Sequence, residues 1–162
     1  MMTLFDKTYN PLNLKYPNRG GKKEKVWIGE MSYNAIISPT YRRFESPAWG
    51  FRAGLMLLYR MVSTCKRFNI EWLATVGIED DVDQQYFIQW LCINCHKAAD
   101  TPLDFGNQIE MLVLISAVVT YLHGEDYNPQ RRIDLWRDMY FGYKCAVAQK
   151  LMDDKKKDER KP

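Results

Sequence analysis

The sequence predicts a mainly α-helical domain of about five helices, preceded by an irregular amino-terminal arm. Three observations predict it. From Trp49 onward, apolar residues recur at three- and four-residue spacing, the period of a helix with one buried face. Met111 to Leu122 is a 12-residue apolar run broken only by Ser116 and Thr120, too short for the roughly 20 residues that cross a bilayer and suited to a buried core helix. Turn-forming residues, by contrast, crowd the first 45 positions. At 162 residues the chain has the length of one domain.

The arm, residues 1–45, contains Asn10-Pro11, Tyr16-Pro17-Asn18-Arg19-Gly20-Gly21 and Ser38-Pro39 and no sustained helical period. Its β-branched runs, Val26–Ile28 and Ala35–Ile37, are the candidates for a short hairpin. Ser46-Pro47 then supplies an N-cap followed by proline at the first helical position, and Trp49, Ala53, Met56, Leu57 and Arg60 carry a helix to about Phe68. A shorter helix, Ile70–Val76, is stopped by Gly77. Ile78-Glu79-Asp80-Asp81 places acids at the positive end of a third helix, Val82–Ala99, which Asp100-Thr101-Pro102 breaks. Asn107, with Glu110 three residues on, makes a capping-box start to the apolar helix ending at Gly124, the expected centre of the core. The last helix follows Asn128-Pro129 and sets Ile133, Trp136, Tyr140 and Tyr143 on one face. A single domain thus covers residues 1–152, with arm 1–45 and helical body 46–152, and 153–162 reads as a charged, solvated tail.

With 46% hydrophobic and 27% charged residues the chain is neither disordered nor fibrous. A net charge of +3 is too small to mark a nucleic-acid binder. The charge is uneven, however: residues 1–25 hold six Lys/Arg against Asp6 and Glu24, which fits attraction to an anionic wall polymer, membrane or nucleic acid as well as a solvated surface. The start Met1-Met2-Thr3-Leu4-Phe5-Asp6 lacks a basic leader and an apolar run, so no signal peptide is expected. Cys65, Cys92, Cys95 and Cys145 are too few and too irregular for a disulfide framework. Cys92-Ile93-Asn94-Cys95-His96 matches the pattern for covalent haem attachment, but His123 is the one other histidine available to complete a ligand set. Two buried cysteines on a helix face are the plainer expectation, and no cofactor or metal is expected. His123 falls at a helix carboxyl end, where an imidazolium is favoured.

No nucleophile elbow, phosphate-binding glycine loop or zinc signature is present, which leaves carboxylate chemistry. A general acid acting on a glycosidic oxygen is a carboxyl held protonated beside apolar groups. Glu45 lies between Phe44 and the start of the first long helix, with Trp49 one turn on, and Glu125 follows the apolar helix near Tyr127. Either is a candidate. The plainer roles are complementing a helix dipole for Glu45 and a loop position for Glu125.

Asn10-Pro11-Leu12-Asn13-Leu14-Lys15-Tyr16, followed by Phe44-Glu45-Ser46-Pro47-Ala48-Trp49-Gly50-Phe51-Arg52-Ala53, resembles the paired signatures N-P-x-N and F-x-S-P-x-x-G-x-R-A of phage virion-associated peptidoglycan-lytic proteins, a lysozyme-like and lytic-transglycosylase-like family. Ile70-Glu71-Trp72-Leu73-Ala74, Asp83 to Ile88 and Ala117 to Gly124 extend the similarity more weakly. The resemblance implies a lysozyme-like fold and a metal-free protein that cleaves the glycan strand with a glutamate acid/base, Glu45 or Glu125. It implies that Asn10, Asn13 and Tyr16 line a sugar groove, that Arg52 braces the arm or meets a substrate carboxylate, and that Trp72 stacks on a sugar ring. Peptidoglycan strands are then the partner, with virion or host proteins and no nucleic acid. Such a protein works from the host cytoplasm or the virion and reaches the wall through a holin or virion delivery. The family carries glutamates where this chain has Ala48 and Leu122, which motivates the alternative: an inactive relative serving as a virion component or host-factor binder.

Overall fold

The structure is a computed structural model that describes residues 2–17, 23–76 and 83–161. Its elements in order are α1 (Leu4–Thr8), β1 (Glu30–Met31), β2 (Arg43–Phe44), α2 (Pro47–Thr64), α3 (Ile70–Leu73), α4 (Gln84–Cys95), α5 (Gln108–His123), a single 3₁₀ turn (Glu125–Tyr127) and α6 (Ile133–Glu159). The protein is mainly helical with one small antiparallel hairpin near its amino terminus.

Helix α1 lies inside the stretch read as irregular. Five residues are too few to show a period, but its cap is local chemistry: Thr3 Oγ1 accepts from Asp6 N, and Tyr9, at φ 48°, closes the helix by donating to Phe5 O. The hairpin sits elsewhere than expected. Glu30 pairs with Phe44 and Met31 with Arg43, whereas Val26, Ile28 and Ile36 stand outside any strand and are exposed. The reason is Glu30, whose Oε1 accepts from Val26 N and Trp27 N at 2.9 and 3.2 Å. This bends the chain ahead of Gly29 (φ 77°) and delays the ladder.

Pro47 opens α2 as expected, while the Ser46 side chain makes no capping bond. The helix ends at Thr64 rather than Phe68, because Cys65 is extended and Asn69 instead caps α3, its Oδ1 accepting from Trp72 N at 2.7 Å. α3 stops at Leu73, short of the expected Val76. Gly77, the acids of Ile78–Asp81 and the expected start at Val82 lie outside the described residues, as does the turn at Asn18-Arg19-Gly20-Gly21. Asp83 caps α4, and His96 at φ 53° ends it, three residues before the expected Ala99. The box at α5 is only half formed. Asn107 Oδ1 accepts from Glu110 N, but the Glu110 carboxylate reaches back to Asp104 N at 2.8 Å rather than to Asn107.

α5 is central, with Met111, Leu114, Ile115, Val118 and Val119 at most 1% exposed. α2 and α6 pack along one another. They touch closely at Gly142, where an added Cβ would lie 2.7 and 2.8 Å from backbone atoms of Phe51 and Arg52. The inward face of α6 is Leu135, Met139, Gly142, Tyr143 and Ala146, offset from the expected one, and Ile133 is 67% exposed. The charged run from Asp153, largely exposed, continues α6 to Glu159 and is held at its start by Tyr59 Oη donating to Asp153 Oδ2 at 2.7 Å.

Candidate functional site

Both halves of the sequence signature meet where the arm crosses α2. Asn10 is fully buried, and its amide spends every bond on backbone: Nδ2 donates to Leu14 O and Arg42 O at 2.9 Å each, and Oδ1 accepts from Leu14 N at 2.8 Å. It therefore clamps the loop 10–14 to the strand region. Beneath it, Gly50 lets the Tyr9 carbonyl oxygen approach to 2.0 Å from where a Cβ would stand, and Gly54 seats Leu12. The paired motifs are thus two sides of one packing contact.

Asn13 occupies the left-handed region at φ 52° and is 3% exposed. It borders a cavity of about 140 Å³ with Leu12, Leu14, Gly54, Leu58 and Val118. Its Oδ1 and the Tyr16 hydroxyl are buried without a hydrogen-bond partner among the described residues. The Tyr16 ring lies edge-on to Tyr33 and under the Arg42 guanidinium at 4.8 Å. Burial, with the Glu30 charge behind it, pushes the Tyr16 phenol above its ordinary range. Arg42 Nη1 also donates to Glu30 Oε2 at 2.8 Å and to Glu24 O. The Glu30 side chain is wholly enclosed and that of Arg42 8% exposed, so a buried ion pair underlies the arm.

The remaining predicted residues stand apart from this junction. Glu45 is exposed, and its backbone N donates to Gly29 O at 2.9 Å. Glu125 is exposed in the 3₁₀ turn, 3.8 Å from Arg131 Nε and accepting from Asn128 Nδ2. Neither carboxylate has an apolar enclosure. Arg52 is half-buried on α2 at the Gly142 crossing. Trp72 is half-buried and packs edge-on against Phe68 at 5.7 Å, so its ring is part of the core margin. A carboxyl that sequence reasoning passed over, Asp138, is half-buried on α6 and pushed up by burial first and by Asp134 second.

A second cluster joins the chain start to the 3₁₀ turn. The Tyr127 hydroxyl donates to Asp6 Oδ2 at 2.8 Å and lies 2.6 Å from Thr3 Oγ1, and its ring stacks on Phe5 at 4.6 Å. The bonds from Tyr127 and Thr3 hold the Asp6 carboxyl below its usual range. His123 corrects an expectation. Its Nε2 donates to Pro11 O at 3.1 Å, and its ring packs edge-on to Phe5. Desolvation drives its pKa down to about 4, so the ring is a neutral, half-buried wedge rather than an imidazolium at a helix end. The signal for Glu30 was present in the sequence: it and Glu24 are the two acids between Lys7 and Arg43.

All four cysteines are free. Burial pushes the Cys92 thiol up and carries Cys95 to about 11. His96 terminates α4, so Cys92–His96 spans a helix end, and no group of three metal-binding side chains occurs among the described residues. No protein-family model matches the chain. No curated protein matches it either.

Proposed function

We propose that this chain is a non-cleaving relative of the phage virion-associated wall-lytic proteins, a virion or host-factor-binding component that holds peptidoglycan glycan strands without cutting them. One observation carries this reading. A carboxyl that protonates a glycosidic oxygen sits in apolar surroundings, and both Glu45 and Glu125 stand in solvent, the latter beside Arg131. The kinship rests on the two signatures: Asn10, Gly50 and Gly54 are used together to lock arm to helix, which gives the paired motif a physical reason to exist. The basic balance of residues 1–25 supplies attraction to an anionic wall polymer.

The test is incubation of the full chain with purified Gram-negative sacculi, followed by sedimentation and mass spectrometry of the supernatant. The expected result is salt-sensitive pelleting with the wall and no soluble muropeptides. Release of anhydro or reducing muropeptides that Glu45→Gln or Glu125→Gln abolishes would overturn the proposal in favour of a glycan-cleaving enzyme. Failure to pellet at low salt would remove the wall as its partner.

A further inference from the structure

The cavity of about 140 Å³ that Asn13 borders lies between the arm loop, α2, α3 and α5. Protein interiors pack closely, and voids larger than a water molecule are few, so a space of this size calls for an occupant. Its floor is closed by Leu73, Ile115 and Val118, each 1% exposed. Its outer side is formed by Leu57, 37% exposed, and by half-buried Met61 and Val76, so a small molecule can enter past them. A water held inside would need roughly two to four polar partners, whereas the wall is hydrocarbon apart from Asn13, Lys15 and backbone. Cavities of about 150 Å³ with such walls stay dry and admit a benzene ring.

Asn13 adds a polar group to this apolar space. The residue is 3% exposed, and its Oδ1 has no hydrogen-bond partner among the described residues. The Tyr16 hydroxyl and Arg43 Nε share that state, but Asn13 alone of the three lines the cavity. Its position is enforced from both sides. Asn13 N donates to Asn10 O at 3.1 Å, Leu14 N donates to Asn10 Oδ1 at 2.8 Å, and Asn13 itself is held at φ 52°. A buried acceptor without a donor is costly, and a ligand that brings a hydroxyl removes that cost.

We propose that this cavity binds a small, neutral, mainly hydrocarbon molecule of about the size of phenol, whose single hydroxyl donates to Asn13 Oδ1. The hydrocarbon part packs against Leu73, Ile115 and Val118. The test is isothermal titration of the full chain with phenol, benzene and benzoate. Saturable one-to-one binding of phenol is expected, about fivefold tighter than benzene and tighter than benzoate. Asn13→Gly is the matching variant, because glycine adopts φ 52° without strain and the loop keeps its shape. It is expected to bind benzene still and to lose the preference for phenol. Absence of saturable phenol binding, benzene bound as tightly as phenol by the wild type, or a phenol preference retained in Asn13→Gly would each overturn the proposal. Benzoate bound more tightly than phenol would do the same and would make Lys15, also on the wall, the recognition group. The wild-type comparison stands whether or not the variant folds, and none of the probes contains sugar, so the outcome is separate from that of the wall reading.

Discussion

His123 makes the fold sensitive to mild acid, and the size of the effect follows from its setting. The half-buried ring is neutral with a pKa near 4, against an ordinary value of 6.5. Between these values the unfolded chain binds a proton that the folded chain refuses, so stability falls as pH drops from 6.5 toward 4. At about 1.4 kcal/mol per pH unit the full interval amounts to about 3 kcal/mol, a large share of a typical domain's stability. The groups set against the ring, Phe5, the Tyr127 ring and the Pro11 carbonyl, carry no charge that would blunt this. Asp6, Asp134 and Asp153, all held below the ordinary 3.8, lose their contributions only at lower pH, so the two windows separate. Urea midpoints of the wild type and His123→Gln, measured from pH 7.5 down to 4.5, read the effect directly. The variant starts weaker through lost packing but lacks the titration, and the two curves should converge by about 2.5 kcal/mol between pH 7.5 and 4.5. Parallel curves would show that His123 accepts its proton in the folded state and would refute the neutral wedge.

Three further outcomes follow from contacts already described. Gly50→Ala sets a methyl 2.0 Å from the Tyr9 carbonyl oxygen and 2.8 Å from Pro11 Cδ. Even after the gain in helix propensity of about 1 kcal/mol it should destabilise by about 2 kcal/mol in chemical denaturation, and a variant as stable as the wild type would disprove the arm-on-helix packing. Glu30→Gln leaves Arg42 buried without its counter-charge and should cost about 3 kcal/mol by the same measurement; a loss under about 1 kcal/mol would mean that water reaches the pair. Glu45→Gln and Glu125→Gln should each change stability by no more than about 0.5 kcal/mol and leave pelleting with sacculi unaltered. A loss of wall binding in either would place that residue in the glycan contact.

Local signals located the starts of α2 and α5, while the end of α2 and the inward face of α6 differ from the periodic expectation. α2 and α5 begin where Ser46-Pro47 and Asn107 signal, because cap chemistry and the apolar period are local properties. The arm resisted this approach. Val26 and Ile28 have strand propensity, yet Glu30 takes their segment out of the ladder through backbone bonds that involve an ion pair with Arg42, 12 positions away. His123 departs from its expected charge for the same reason. A helix-end position favours charge, but the partners that bury it, Phe5 and Pro11, come from the other end of the chain. The junction behaves alike: Asn10 is legible in the sequence as a turn former, while its reach to Arg42 O is not.

Tyr127 closes onto Thr3 and Asp6 across 124 and 121 positions. Contacts between such distant segments carry a large loop-closure cost and form late. During synthesis the arm emerges first and waits for the 3₁₀ turn, the last part of its seat to be made. Until then Phe5 has neither the Tyr127 ring nor His123 to cover it. The interval in which the nascent chain exposes that residue is set by translation speed, and a pause before Tyr127 would lengthen it.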